Sequence, residues 1–141
     1  MSSAQKARET FRFPVRVYYE DTDAAGVVYY ANYLKYMERA RTEWLSSLGF
    51  ELADLERLFG IVFVVHHVEI EYRRPARLGD ELDATLTLIE LHRARMVAMQ
   101  DVLRGDAVFT SARVRLVCLD RSNWRPIRIP ATLHGRLESL L

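Results

Sequence analysis

The sequence predicts an α+β domain in which a five-stranded antiparallel sheet wraps around one long central helix. Three observations predict it. Five runs alternate like strands, one run repeats like an amphipathic helix, and short turns join the later strands as hairpins. The 141 residues suit one domain, and half of them are hydrophobic, enough to fill a core.

The first strand is read from Phe13, Val15, Val17 and Tyr19 on one face and Arg16, Tyr18 and Glu20 on the other. The small residues Ala24 and Ala25 and then Gly26 favour a turn after it. A helix follows, with Tyr33, Met37, Ala40, Trp44 and Leu48 in one stripe and Leu34, Arg41 and Leu45 flanking it. Lys35, Glu38, Arg39, Thr42, Glu43 and Ser46 make its wet side. Asn32 as N-cap and Gly49 as C′ residue bound a helix of about 16 residues, roughly 24 Å. No other helix of that length is present to bury its stripe, so the sheet must.

A short helical segment, 52–58, leads into four strands at 63–72, 82–91, 95–103 and 107–119. Gly105-Asp106 reads as a tight hairpin, and His92-Arg93-Ala94 as the turn before it. Leu82, Ala84, Leu86 and Leu88 share one face, as do Val108, Thr110, Ala112, Val114, Leu116 and Cys118. Arg113 and Arg115 then fall on the outer face, part of which another subunit would cover. Residues 130–141 suit a last short helix. Residues 1–10 read as a disordered lead-in and 11–141 as the single domain.

Composition removes several function classes. A formal net charge of +1 gives no global pull toward nucleic acid. One cysteine allows no disulfide framework and suits the cytoplasm. No apolar run reaches the roughly 18 residues of a membrane span, so no integral membrane segment is expected. The histidines and acids lack metal-ligand spacing, the chain has no Gly-x-Ser-x-Gly elbow, and no glycine loop could cradle phosphates. No metal and no cofactor is therefore expected.

The run from Arg16 to Tyr33 carries the most chemistry. It places Asp23 just before a helix, where free N–H groups favour negative charge and could hold an oxyanion. Spacing alone leaves two readings: Asp21 and Asp23 cap the turn and helix, or Asp23 attacks a carbonyl or activates water. Arg73, Arg74 and Arg77 flank the reversal at Pro75 and Gly79-Asp80, either as a phosphate patch or as a solvated loop. Arg93 and Arg95 form a second such cluster. His66 shares parity with Val64, Val68, Ile70 and Tyr72 and reads as a core or pocket-lining residue, whereas His67 goes with Glu69 and Glu71. Cys118 reads as a buried packing residue.

These residues resemble the 4-hydroxybenzoyl-CoA thioesterase family of hotdog-fold proteins, and within it the acyl-CoA thioesterases associated with the Tol-Pal system. The resemblance spans roughly residues 13–130 and rests on Arg16-Val17, Thr22-Asp23 and Gly26-Val27-Val28, with a looser match at Tyr72, Pro75-Ala76 and Gly79-Asp80. It implies a hotdog fold, active sites at a dimer interface, and a homodimer or homotetramer in the cytoplasm or peripheral at the inner membrane. It further implies hydrolysis of a short-chain or aromatic acyl-CoA, with Asp23 as the catalytic carboxylate, Gly26 as its turn and the Tyr30 backbone N–H as the donor to the thioester carbonyl. Tyr29, Asn32, Tyr33, His66, Arg93 and Arg95 become the expected substrate-binding residues, the two arginines for the nucleotide phosphates. Tol-Pal-associated members commonly carry histidine where this chain has Tyr30, which keeps the backbone donor and removes an imidazole. Tyr29, Tyr30, Tyr33 and Trp44 would then offer an aromatic wall. Action on acyl-carrier-protein thioesters, including a dehydratase built on His66, and a non-catalytic acyl-CoA-binding adaptor are the alternatives.

Overall fold

Alternation builds the sheet. In β3 (Glu81–Leu91), Leu82, Ala84, Leu86 and Leu88 are each 3% exposed or less, and Thr85, in the same run, is held by Asp101 of the neighbouring strand. β3 lies between β1 (Thr10–Arg16) and β4 (Arg95–Arg104), and β5 (Ala107–Asp120) joins β4 to β2 (Ile61–Tyr72). Every pairing is antiparallel, in the order β1-β3-β4-β5-β2. Pro14, which lacks an N–H, is accommodated because β1 is an edge. This computed structural model describes residues 8–141. Thr10 pairs with Thr87 at the start of β1, so the strand begins inside the expected lead-in, whose first seven residues lie outside the described ones.

The sheet packs on α1 (Asn32–Ser47) through β1, β3 and β4. Tyr33, Met37, Ala40, Trp44 and Leu45 are buried along α1, as expected, and Tyr36 at 0% exposure belongs with them. Gln100 of β4, also 0% exposed, donates from Nε2 to the Met37 carbonyl (2.9 Å) and accepts from Arg41 (2.9 Å). The helix ends as predicted. Gly49 has φ +93°, its N–H meets the Ser46 carbonyl, and the Phe50 N–H meets that of Leu45, the paired bonds of a Schellman cap. α2 (Leu52–Phe59) leads into β2, and α3 (Ala131–Glu138) buries Leu133 and Leu137. No helix among the described residues is long and apolar enough to cross a membrane.

Three local expectations are corrected. β1 stops at Arg16, and Tyr19 is 82% exposed in a single 3-10 turn, Tyr19–Asp21. Side chains take over from the ladder there: Asp21 Oδ2 accepts the Tyr18 N–H (2.9 Å) and Thr22 Oγ1 donates to the Tyr19 carbonyl (2.7 Å). Ala31, not Asn32, is the N-cap, because the chain is already helical at Ala31 (φ −69°, ψ −18°) and Asn32 turns inward. In β2 the register slips between Val65, opposite Leu116, and His67, opposite Arg115. His66 is the extra residue of that bulge, so parity breaks at it and it lies exposed rather than in the core.

Candidate active site

The acid cluster folds into a small closed loop. The Asp23 N–H donates to the Val27 carbonyl (2.9 Å), the Gly26 N–H to the Asp23 carbonyl (3.0 Å), and the Tyr29 N–H to the Asp21 carbonyl (2.9 Å). Gly26 turns the loop at φ +80°, a conformation that a side chain would strain. Asp23 is exposed near the tip, and its Oδ1 accepts the Ala25 N–H (2.9 Å). Oδ2 bonds to none of the described residues. Capping and chemistry are thus not rivals at Asp23, since one oxygen fixes the turn and the other faces out.

A second loop straps the first in place. Ala76, 0% exposed, accepts the Val28 N–H on its carbonyl (2.8 Å) and donates its own N–H to the Tyr33 hydroxyl (3.0 Å). Val27 bridges to Arg77, and Val17 exchanges backbone bonds with Gly79 and Asp80. The two motifs picked out in the sequence are therefore one unit in space.

Beyond Tyr29 the chain turns into α1, and the Asn32 N–H reaches back to the Tyr29 carbonyl (2.7 Å). The N–H groups of Tyr30 and Ala31 find no acceptor among the described residues. They stand at the positive end of the α1 dipole, a place suited to an oxyanion. The Tyr30 ring meets Tyr72 edge-on (6.2 Å between centroids), and Tyr33 lies 5.6 Å from Tyr72. With Val28, Pro75, Arg73 and Arg74 they line a pocket of about 220 Å³. Burial pushes up the pKa of both Tyr33 and Tyr72, so both are neutral hydroxyls at ordinary pH.

The expected site residues divide into two groups. Asp23, Gly26, Tyr29, Tyr30, Asn32 and Tyr33 share the acid loop and the first turn of α1. Tyr29 is 47% exposed beside Tyr30 (centroids 4.7 Å apart), while Asn32 is 6% exposed and faces inward. His66, Arg93 and Arg95 instead line a separate cleft of about 1020 Å³ on the outer sheet face, joined there by Arg113 and Arg115. Arg113 is paired to Glu90 (2.8 Å), whereas Arg93, Arg95 and Arg115 carry no ion pair among the described residues. Trp44 is 4% exposed in the core and takes no part in the tyrosine wall.

Four residues lie outside the expected site set. Tyr72, Arg73 and Arg74 flank the tyrosine pocket, and the open choice between patch and solvated loop gave no cue to that neighbour. Asp21, read only as a capping acid, is 5% exposed. The 3-10 turn that buries it leaves no periodic signal. Among the described residues no group of three or more His, Cys, Asp or Glu side chains is arranged to hold a metal.

A long helix wrapped by a five-stranded antiparallel sheet is the hotdog architecture. The thioesterase-like superfamily profile matches residues 17–137. An acyl-CoA thioesterase YbgC of Haemophilus influenzae is 41% identical over 130 residues, covering 92% of this chain and 96% of its own. The crystal structure of a probable thioesterase from Bartonella henselae superposes with a TM-score of 0.82 at 35% identity, covering 86% of this chain and all of that one. A 1,4-dihydroxy-2-naphthoyl-CoA thioesterase from Synechocystis superposes with a TM-score of 0.85 at 25% identity, covering 94% and 98%. This chain belongs to the thioesterase-like superfamily.

Proposed function

We infer that the protein is an acyl-CoA thioesterase in which Asp23 supplies the carboxylate and the Tyr30 N–H receives the thioester oxygen. The observation that carries this reading is the pairing of an outward Asp23 oxygen with an acceptor-free amide at the start of α1, on one hydrogen-bonded loop. Asp23 attacks the carbonyl or takes a proton from the attacking water. In either role charge moves onto the carbonyl oxygen, where fixed amides stabilise it. Water's oxygen ends in the free acid and its proton on the departing CoA thiol. The small tyrosine-lined pocket suits a short-chain or aromatic acyl group, and the arginines of the outer cleft suit the nucleotide phosphates.

The enzyme works as a homodimer or homotetramer. Both sheet edges are unpaired among the described residues, and Tyr18, Tyr19, Tyr29 and Tyr30 are 47% exposed or more around the acid loop, surface that a second copy would cover. The exposed arginines also favour a second reading, in which an acidic acyl carrier protein delivers the thioester.

A thiol-release assay over short-chain, long-chain and aromatic acyl-CoA, run on native protein and Asp23→Asn, tests the chemistry. Release by native protein alone supports it. No release from any ester, or an Asp23→Asn variant as fast as native, removes it. Acyl-carrier-protein substrates run alongside separate the two deliveries, and sedimentation gives the assembly.

A further inference from the structure

The proposed mechanism leaves three buried polar residues unused. Asp21 is 5% exposed, Asn32 6% and Tyr36 0%. Burying a carboxylate is costly unless it is held, and here the holding is specific. Burial alone would raise the Asp21 pKa. The Tyr18 N–H, the Asn32 amide, the Tyr36 hydroxyl and the Arg39 charge together outweigh that and bring it below the ordinary 3.8. Burial, and then Asp21 itself, drives the Tyr36 phenol far up, so it stays a neutral donor. Asn32 Nδ2 and the Tyr36 hydroxyl are buried and complete no hydrogen bond among the described residues, so neither is committed to a partner other than this carboxylate.

Two of the three, Asp21 and Asn32, bracket the proposed oxyanion donor. The Asp21 carbonyl accepts the Tyr29 N–H (2.9 Å), and the Tyr29 carbonyl accepts the Asn32 N–H (2.7 Å). Tyr30 and Ala31, the two residues with acceptor-free N–H groups, lie between those bonds. Where Asp21 sits therefore decides where the Tyr30 N–H points. We propose that Asp21, with Asn32 and Tyr36 packed against it, is the positioning unit that aims the Tyr30 amide at the reacting carbonyl. The proposal rests on the reading of Tyr30 given above. A misplacement of about 1 Å can cost about 100-fold in rate, so the unit acts on turnover rather than on CoA binding.

The test uses Asp21→Asn and Tyr36→Phe in the full-length protein. Both keep side-chain size and lose, respectively, the charge and the hydroxyl. Each is assayed on the acyl-CoA that native protein cleaves best, at a temperature where melting curves show the variant folded. The Tyr30 amide resonance is recorded in parallel by NMR. A roughly 10- to 100-fold drop in kcat for Asp21→Asn with KM within about 2-fold, and a smaller drop for Tyr36→Phe, supports the assignment when the Tyr30 resonance also shifts. Native kcat in both variants, or a Tyr30 resonance unmoved in both, overturns it. If Asp21→Asn does not fold, Tyr36→Phe decides by the same two readouts. If native protein hydrolyses no acyl-CoA, the functional reading fails by itself, and the Tyr30 resonance still decides whether the unit aims that amide.

Discussion

Asp23 and the Tyr30 amide are held by main-chain bonds on both sides of the acid loop, whereas Arg93, Arg95 and Arg115 reach the outer cleft on long side chains without ion pairs among the described residues. The first arrangement costs no reorganisation when charge develops, which is what a transition state needs. The second tolerates movement and suits a flexible, multiply charged ligand. Under the proposed mechanism, with fixed amides for chemistry and unpaired cations for capture, damage to the two regions separates cleanly in kinetics.

The largest effect belongs to the fixed region. Asp23→Asn keeps the acceptor for the Ala25 N–H, so the turn survives, but a neutral amide neither attacks nor takes a proton. We expect kcat to fall about 1,000-fold with KM nearly unchanged, measured by steady-state thiol release. A rise in KM instead would erase the distinction between the regions. Next, Arg93→Ala with Arg95→Ala should raise KM for the CoA ester roughly 10- to 100-fold and leave kcat in place. Salt should mimic the change in native protein, and a truncated thioester without the nucleotide should ignore both substitutions.

The regions also differ in how far the sequence reveals them. The acid loop is contiguous, and its strand, turn and helix are each fixed by neighbours a few residues away. Asp23, Gly26 and the start of α1 could thus be read directly, and so could the alternation of β3 and β5. The cleft draws on β2, the β3–β4 turn and β5, and only pairing register brings these together. Arg113 and Arg115 could be placed on an outer face, but not beside Arg95. His66, read as a core or pocket-lining residue, lines the cleft and not the core, because a bulge adds a residue without changing composition and parity counted across it inverts. Asp21 escaped for a related reason: its burial follows from a 3-10 turn closed by side chains, which no period records.

Smaller changes probe how rigid the fixed region is. A Cβ at Gly26 meets nothing within 4 Å, so Gly26→Ala costs only backbone strain at φ +80°, about 1–2 kcal/mol. Chemical denaturation should show that loss, and kcat should fall with it if the loop geometry matters. Asp21 adds a pH signature. Its pKa lies below 3.8 when folded and returns to the ordinary value on unfolding, so the folded state binds fewer protons. Its stabilisation is complete above the unfolded value and disappears as pH falls through the folded one. Urea midpoints at about pH 5 and about pH 3 should converge more in Asp21→Asn than in native protein. Equal acid sensitivity in the two would mean Asp21 is not held as described.

The smallest expected signal tests the floor of the basic cleft. Cys118 sits on β5 between Val117 and Leu119, which line the basic cleft, but it points the other way and is 0% exposed. Burial pushes its thiol up to about 11, so little thiolate exists at neutral pH and a reagent must wait for the strand to open. Labelling with a thiol-specific disulfide reagent should be negligible in the folded protein and complete in denaturant. The same result keeps the thiol-release assay free of signal from the enzyme. Labelling at the rate of an exposed cysteine would show that β5 opens beneath the arginines, and the cleft floor would then be less rigid than the acid loop.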